Sequence, residues 1–145
     1  MSAEPAVGAT APRRLVIHVD GGARGNPGPA AIGVVVSDSE GARIEDVAET
    51  IGIATNNVAE YRALLKGLER ARALGATALE VINDSELVAK QLRGTYKVKH
   101  PAMRPLYEQA RSAIGSFEEF SIRSVPRAQN AEADTLVNAA LDGLR

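Results

Sequence analysis

Four acidic residues, Asp20, Glu60, Asp84 and Asp134, have sequence surroundings that suit them to act together. Asp20 ends the apolar, β-branched run Leu15-Val16-Ile17-His18-Val19 and is followed at once by Gly and Pro. That pattern describes a buried strand delivering a carboxylate to the rim of a sheet. Asp84 follows a second such run, Leu79 to Asn83, while Glu60 and Asp134 lie near the starts of two amphipathic stripes. Hard divalent cations such as Mg²⁺ take oxygen ligands, and two of them about 3.5 to 4 Å apart can activate a water and stabilise a leaving oxygen in phosphoryl transfer. A carboxylate quartet drawn from four separate elements suits that task. Each acid also has a plainer explanation. Asp20-Gly21 is ordinary turn chemistry, Asn57 to Glu60 has capping-box spacing, Asp84 fits a helix N-cap, and Asp134 suits the positive end of a helix dipole.

The elements that must position these acids can be read in order. A strand from about Arg13 to Asp20 is followed by the turn Gly21 to Pro29, a second strand from about Ala30 to Ser37, and a third from about Arg43 to Ile53. Short turns between them make an antiparallel meander. Thr55-Asn56-Asn57 opens a helix whose Tyr61, Leu64, Leu65, Leu68 and Ala71 share one face, closing near Gly75. A short strand over Leu79 to Ile82 then implies a crossover and parallel pairing with the first strand. A short helix from Ser85 to Arg93 and a helical stripe from Met103 to Ile114 come next. A strand from Glu119 to Val125 and a terminal helix striped by Ala133, Leu136, Val137, Ala140, Leu141 and Leu144 complete the chain.

The 145 residues are enough for one domain that buries a core without staples, and the absence of cysteine excludes disulfides and thiolate zinc sites and fits a reducing compartment. No apolar run reaches the roughly 20 residues of a membrane span, so a cytoplasmic protein with no membrane partner is expected. Residues 1–12, mostly small residues and Pro, read as a loose arm ahead of a domain at 13–145. The net charge of −1 argues mildly against a polyanionic partner. However, Lys90, Arg93, Lys97, Lys99 and Arg104 fall in a stretch without acids, with Tyr96 inside it. Such a stretch is either a solvated face, with Tyr96 in the core, or a track for a nucleic-acid backbone.

The company each acid keeps carries more information than the acid itself. Asp20-Gly21-Gly22-Ala23-Arg24-Gly25-Asn26-Pro27-Gly28-Pro29, Thr55-Asn56-Asn57-Val58-Ala59-Glu60-Tyr61-Arg62-Ala63-Leu64, Asp84-Ser85-Glu86-Leu87-Val88 and Asn130-Ala131-Glu132-Ala133-Asp134 occur in that order. Together they resemble type 1 ribonuclease H, and more narrowly its short archaeal-like subgroup, over about residues 13–144. The resemblance implies an α/β ribonuclease H-like fold, a five-stranded mixed sheet flanked by helices, and hydrolysis of the RNA strand of an RNA/DNA hybrid. It implies Asp20, Glu60, Asp84 and Asp134 as ligands of two Mg²⁺ or Mn²⁺ ions, with Asp20 bridging them. Water would attack phosphorus in line, leaving a 5′-phosphate and a 3′-hydroxyl. The resemblance also implies substrate contacts from the turn that begins Gly21-Gly22 and carries Arg24, from Asn26, Asn56 and Asn57 in the minor groove, and from Thr55 at a DNA phosphate.

The chain departs from the pattern ahead of the last helix. Many bacterial relatives have a loop His there, and this chain has Pro126-Arg127-Ala128-Gln129. Arg127 could reach a phosphate but cannot shuttle a proton near neutral pH. The segment from Gly94 to Pro101 is too short for the basic protrusion of longer relatives, so substrate affinity could rest partly on another domain in a longer native chain. Otherwise a monomer is expected. Two rivals stand beside the enzyme: a catalytically silent hybrid-binding module, which gains nothing from crowding four acids, and a DNA-cutting nuclease of the same fold, against which the asparagine pair argues.

Overall fold

The computed structural model describes residues 13–143. The arm expected at 1–12 and the last stripe residue, Leu144, lie outside them. The chain runs β1 (Arg14–Ala23), β2 (Gly28–Asp38), β3 (Arg43–Ala54), α1 (Asn56–Ala73), β4 (Ala78–Asn83), α2 (Glu86–Leu92), α3 (Arg104–Ile114), β5 (Glu119–Ser124) and α4 (Ala131–Asp142), with a 3₁₀ turn at Arg127–Asn130. The five strands form one mixed sheet in the order β3-β2-β1-β4-β5. β1 pairs antiparallel with β2 and parallel with β4, as the crossover through α1 requires.

Alternation along the strands sends side chains to two layers. Leu15, Ile17 and Val19 of β1 and Ile32, Val34 and Val36 of β2 join Tyr61, Leu64 and Leu68 of α1 in the main core, with α2 and α3 completing that side. Ala31, out of phase with them, packs on the other face against Val137 and Leu141 of α4. The acids that break the alternation of β3 have partners on α1. The guanidinium of Arg70 donates to both oxygens of Glu45, at 2.5 and 2.9 Å, and Lys66 stands 3.7 Å from Glu49.

Several local expectations are corrected. Gly21 and Gly22 belong to β1, not to a turn: β1 continues to Ala23, and its ladder with β2 runs out to Ala23↔Ala30. The turn is therefore only Arg24 to Pro27. The capping box that the spacing of Asn57 and Glu60 allowed does not form, because the N-cap is Thr55, two residues earlier, whose hydroxyl accepts from Val58 N at 3.2 Å. Ser85, not Asp84, caps α2, accepting from Val88 N at 3.2 Å. Tyr96 is no core residue, being 48% exposed with the Lys90 ammonium 5.1 Å from its ring centre.

Candidate active site

The parallel ladder between β1 and β4 ends at His18↔Ile82. Beyond it the strands part, and Asp20 on β1 and Asp84 just after β4 stand at the opening. Glu60 reaches the same place from the second turn of α1. A β-carbon on Gly21 would overlap the carbonyl of Ala59, so the missing side chain lets the helix settle on the strand with the next residue, Glu60, at the rim. The same device recurs on the opposite face. A β-carbon on Gly33 would overlap the carbonyl of Ala133, the residue before Asp134. Gly33 is itself the cross-strand partner of Asp20.

Asp84 is set by its neighbours. Asn83 is buried; its Oδ1 accepts from Ser85 N at 2.6 Å and its Nδ2 donates to the Arg123 carbonyl at 3.3 Å, fixing the bend that carries Asp84 out of β4. One carboxylate oxygen each from Asp20, Glu60 and Asp84 lies within 4.8 Å of the others, a grouping that could hold a metal ion. Burial, followed by the charges of Asp84, Glu60 and Asp134, pushes the Asp20 carboxyl up to about 8. Burial also raises Glu60 to about 7, against a hydrogen bond from Ser85 that lowers it. Asp84 is raised too, again chiefly by burial, with Arg127 opposing. Burial and mutual repulsion on three carboxyls are what a site built for a multivalent cation must tolerate without one.

Asp134 lines the same cleft but stands outside that trio. Arg127 Nη2 donates to its Oδ1 at 3.1 Å, and Asn138 Nδ2 contacts its Oδ2 at 3.4 Å. The cleft has a volume of about 500 Å³ and takes in Gly21, Gly22, Arg24, Asn56 and Arg127 as well as the four acids. Arg24 pairs with Asp142 of α4 at 2.8 Å. Asn26, Thr55 and Asn57 are not brought into the lining. Asn26 Oδ1 accepts from Asn56 N at 3.0 Å, and Asn56 Oδ1 accepts from Ala23 N at 2.8 Å, so these amides lace the β1–β2 turn to the start of α1. Asn57 is exposed on the first turn of the helix. The basic stretch lies apart, where Tyr96, Lys97, Arg104 and Tyr107 border a separate depression.

Sequence reasoning missed three contributors. Ser85 and Asn138 are one residue and one helical turn from an acid, a spacing that could have flagged both. Asn130 entered the sequence reading only as the first residue of the motif that ends at Asp134; at the start of α4 it makes no capping hydrogen bond and turns its amide into the core.

Fold and cleft define the class: a mixed-sheet domain whose strand ends and helix starts gather carboxylates into a centre suited to hard divalent cations. The family model described as Reverse transcriptase-like matches residues 18–140. The bifunctional protein Rv2228c of Mycobacterium tuberculosis is 48% identical over 130 residues, which cover 89% of this chain but only 36% of that protein. RNase H1 from the halophilic archaeon Halobacterium salinarum superposes with a TM-score of 0.88 at 45% identity, covering 90% of this chain and 98% of that one. LC11-RNase H1, solved in complex with an RNA/DNA hybrid, gives 0.86 at 41% identity, covering 90% and 98%. The chain belongs to the type 1 ribonuclease H family.

Proposed function

We propose that residues 13–145 form an endoribonuclease domain that hydrolyses the RNA strand of RNA/DNA hybrids, leaving 5′-phosphate and 3′-hydroxyl ends. The observation that carries this reading is the convergence of Asp20, Glu60 and Asp84 within 4.8 Å at the open end of the sheet, with Asp134 across the same cleft. LC11-RNase H1, with 41% identity, was captured on such a hybrid, which supports the same substrate here. Two Mg²⁺ or Mn²⁺ ions, when bound, would supply activation of water and stabilisation of the leaving oxygen. Asp20, Glu60, Asp84 and Asp134 would hold these ions, with Asp20 the residue common to both. Arg127, released from Asp134, would meet a substrate phosphate with its planar fork.

Selectivity for RNA falls to groups that can read a 2′-hydroxyl. Asn56 uses its Oδ1 on Ala23, so its Nδ2 is the donor left for the substrate, and the backbone of Gly22 lies open along the cleft. Asn26, Thr55 and Asn57 serve from the rim. Zero cysteines and no described helix long and apolar enough to cross a membrane fit work in the cytoplasm. A silent binding module is the weaker reading, because the burial and the crowding of acids that lift the Asp20 carboxyl to about 8 bring such a module nothing.

The test is incubation of end-labelled RNA/DNA hybrid, DNA/DNA and RNA/RNA duplexes with Mg²⁺, Mn²⁺ or EDTA, beside Asp20→Asn. Cation-dependent cutting of the RNA in the hybrid, lost in Asp20→Asn, is expected. Tight hybrid binding without cleavage would instead favour the binding module, and cleavage of DNA/DNA would overturn the role given to the asparagines.

A further inference from the structure

One of the ties between the two halves of the cleft is a buried amide. Asn130 is 1% exposed, and its Nδ2 donates to the Val19 carbonyl at 2.9 Å across a sequence separation of 111 residues. Val19 is the first β1 residue beyond the parallel ladder with β4, and the one before Asp20. Asn130 thus supplies a donor to β1 at the point where β4 has parted from it. On its own side, Asn130 ends the 3₁₀ turn that starts with Arg127 and lies four residues, about one turn, before Asp134. Its Oδ1, by contrast, is buried without a partner, a situation that buried amides in folded proteins generally avoid. Its one hydrogen bond joins the carbonyl of Val19, immediately before Asp20, to the start of α4.

We infer that Asn130 is a positioning residue that sets the distance between Asp20 and Asp134, and so the capacity of the cleft to hold a divalent cation between β1 and α4. The inference deepens the proposed function and rests on its assignment of the carboxylates. Removing the amide takes away the hydrogen bond that ties the start of α4 to β1, while Gly33 under Ala133 and Ala31 against Val137 still hold the helix on the sheet. Asp20, Glu60 and Asp84 keep their own supports, Gly21 under α1 and Asn83 behind Asp84. Cation binding should then weaken without collapse of the site.

The test titrates Mn²⁺ into substrate-free protein by calorimetry and by the rise in melting temperature, for wild type, Asn130→Ala and the milder Asn130→Ser. Val36→Ala, in the core at the far end of β2, serves as a comparison for plain destabilisation. Asn130→Ala should need roughly tenfold more Mn²⁺ for half-saturation, with Asn130→Ser between it and wild type. On hybrid, kcat should fall roughly tenfold or more while KM moves little, and excess Mn²⁺ should restore part of the loss. Val36→Ala should melt lower with an unchanged Mn²⁺ midpoint. An unchanged midpoint in Asn130→Ser, or in a folded Asn130→Ala, overturns the inference. A shifted midpoint in a protein that cuts no hybrid would uphold the positioning role and sink the proposed function instead.

Discussion

At the scale of single residues, Asp20 is held where its ionised form is costly. It is 8% exposed and stands among three other acids, and burial more than repulsion raises its carboxyl to about 8. A neutral amide of the same shape escapes both penalties. Asp20→Asn should therefore stabilise the cation-free protein at pH 8 by about 1 to 3 kcal/mol, less than the full shift because neighbouring groups and water relax around the charge. The same change should remove most of the rise in melting temperature caused by Mg²⁺ and abolish hybrid cleavage. Chemical denaturation in EDTA and in Mg²⁺ checks both halves; a less stable Asp20→Asn in EDTA would mean that the carboxylate is held by favourable bonds, not strained by its surroundings.

At the scale of elements, the cleft depends on two close approaches. Gly21 lies under Ala59 of α1 and Gly33 under Ala133 of α4, and each helix carries its acid at the following position. Gly33→Ala places a methyl against a backbone carbonyl, which cannot rotate aside, so α4 must lift. The expected cost is about 1 to 3 kcal/mol of stability with loss of most activity, while Gly41→Ala, where a β-carbon meets open space but φ is +91°, should cost stability only. Activity that survives in Gly33→Ala would mean that Asp134 tolerates displacement. These contacts also explain what the sequence made legible. Strand and helix identities followed from periodicity, and the four acids stood out through the motifs around them, since each acid alone had a plainer reading. The glycines under the helices did not, because Gly21 beside Gly22 has the composition of a turn, and only the paired register shows that β1 runs on to Ala23. The motif ahead of Asp134 contains Asn130 but not its task, because its bond to Val19 joins residues that no local pattern relates. The 3₁₀ turn at Arg127–Asn130 is too short to leave a periodic signal.

At the scale of the whole molecule, the buried acids make stability depend on pH with an unusual sign. Asp20 and Glu60 are raised in the folded chain from 3.8 and 4.5 to about 8 and about 7. Between those limits the folded state holds protons that the unfolded chain has released, so stability falls as pH rises, and the full loss is reached above the folded values. His18 acts in the opposite sense. Burial lowers it from 6.5, so the unfolded chain takes up its proton first as pH falls, and this destabilisation disappears above about 6.5. Glu45, lowered by its hydrogen bond from Arg70, favours the folded state above 4.5 and loses that contribution only as pH drops through more acidic values. The carboxylate slope is therefore cleanest from about pH 6.5 to about pH 8.5. In EDTA the melting temperature should decline across that window, and Asp20→Asn should flatten much of the decline. Saturating Mg²⁺ should flatten it as well, since a bound cation favours the ionised carboxylates that burial and crowding disfavour. Melting curves at matched ionic strength decide the point: a cation-free protein whose melting temperature holds level or climbs over that range would mean that the three carboxyls are solvated well enough to ionise, and that their burial is not what readies the cleft for a cation.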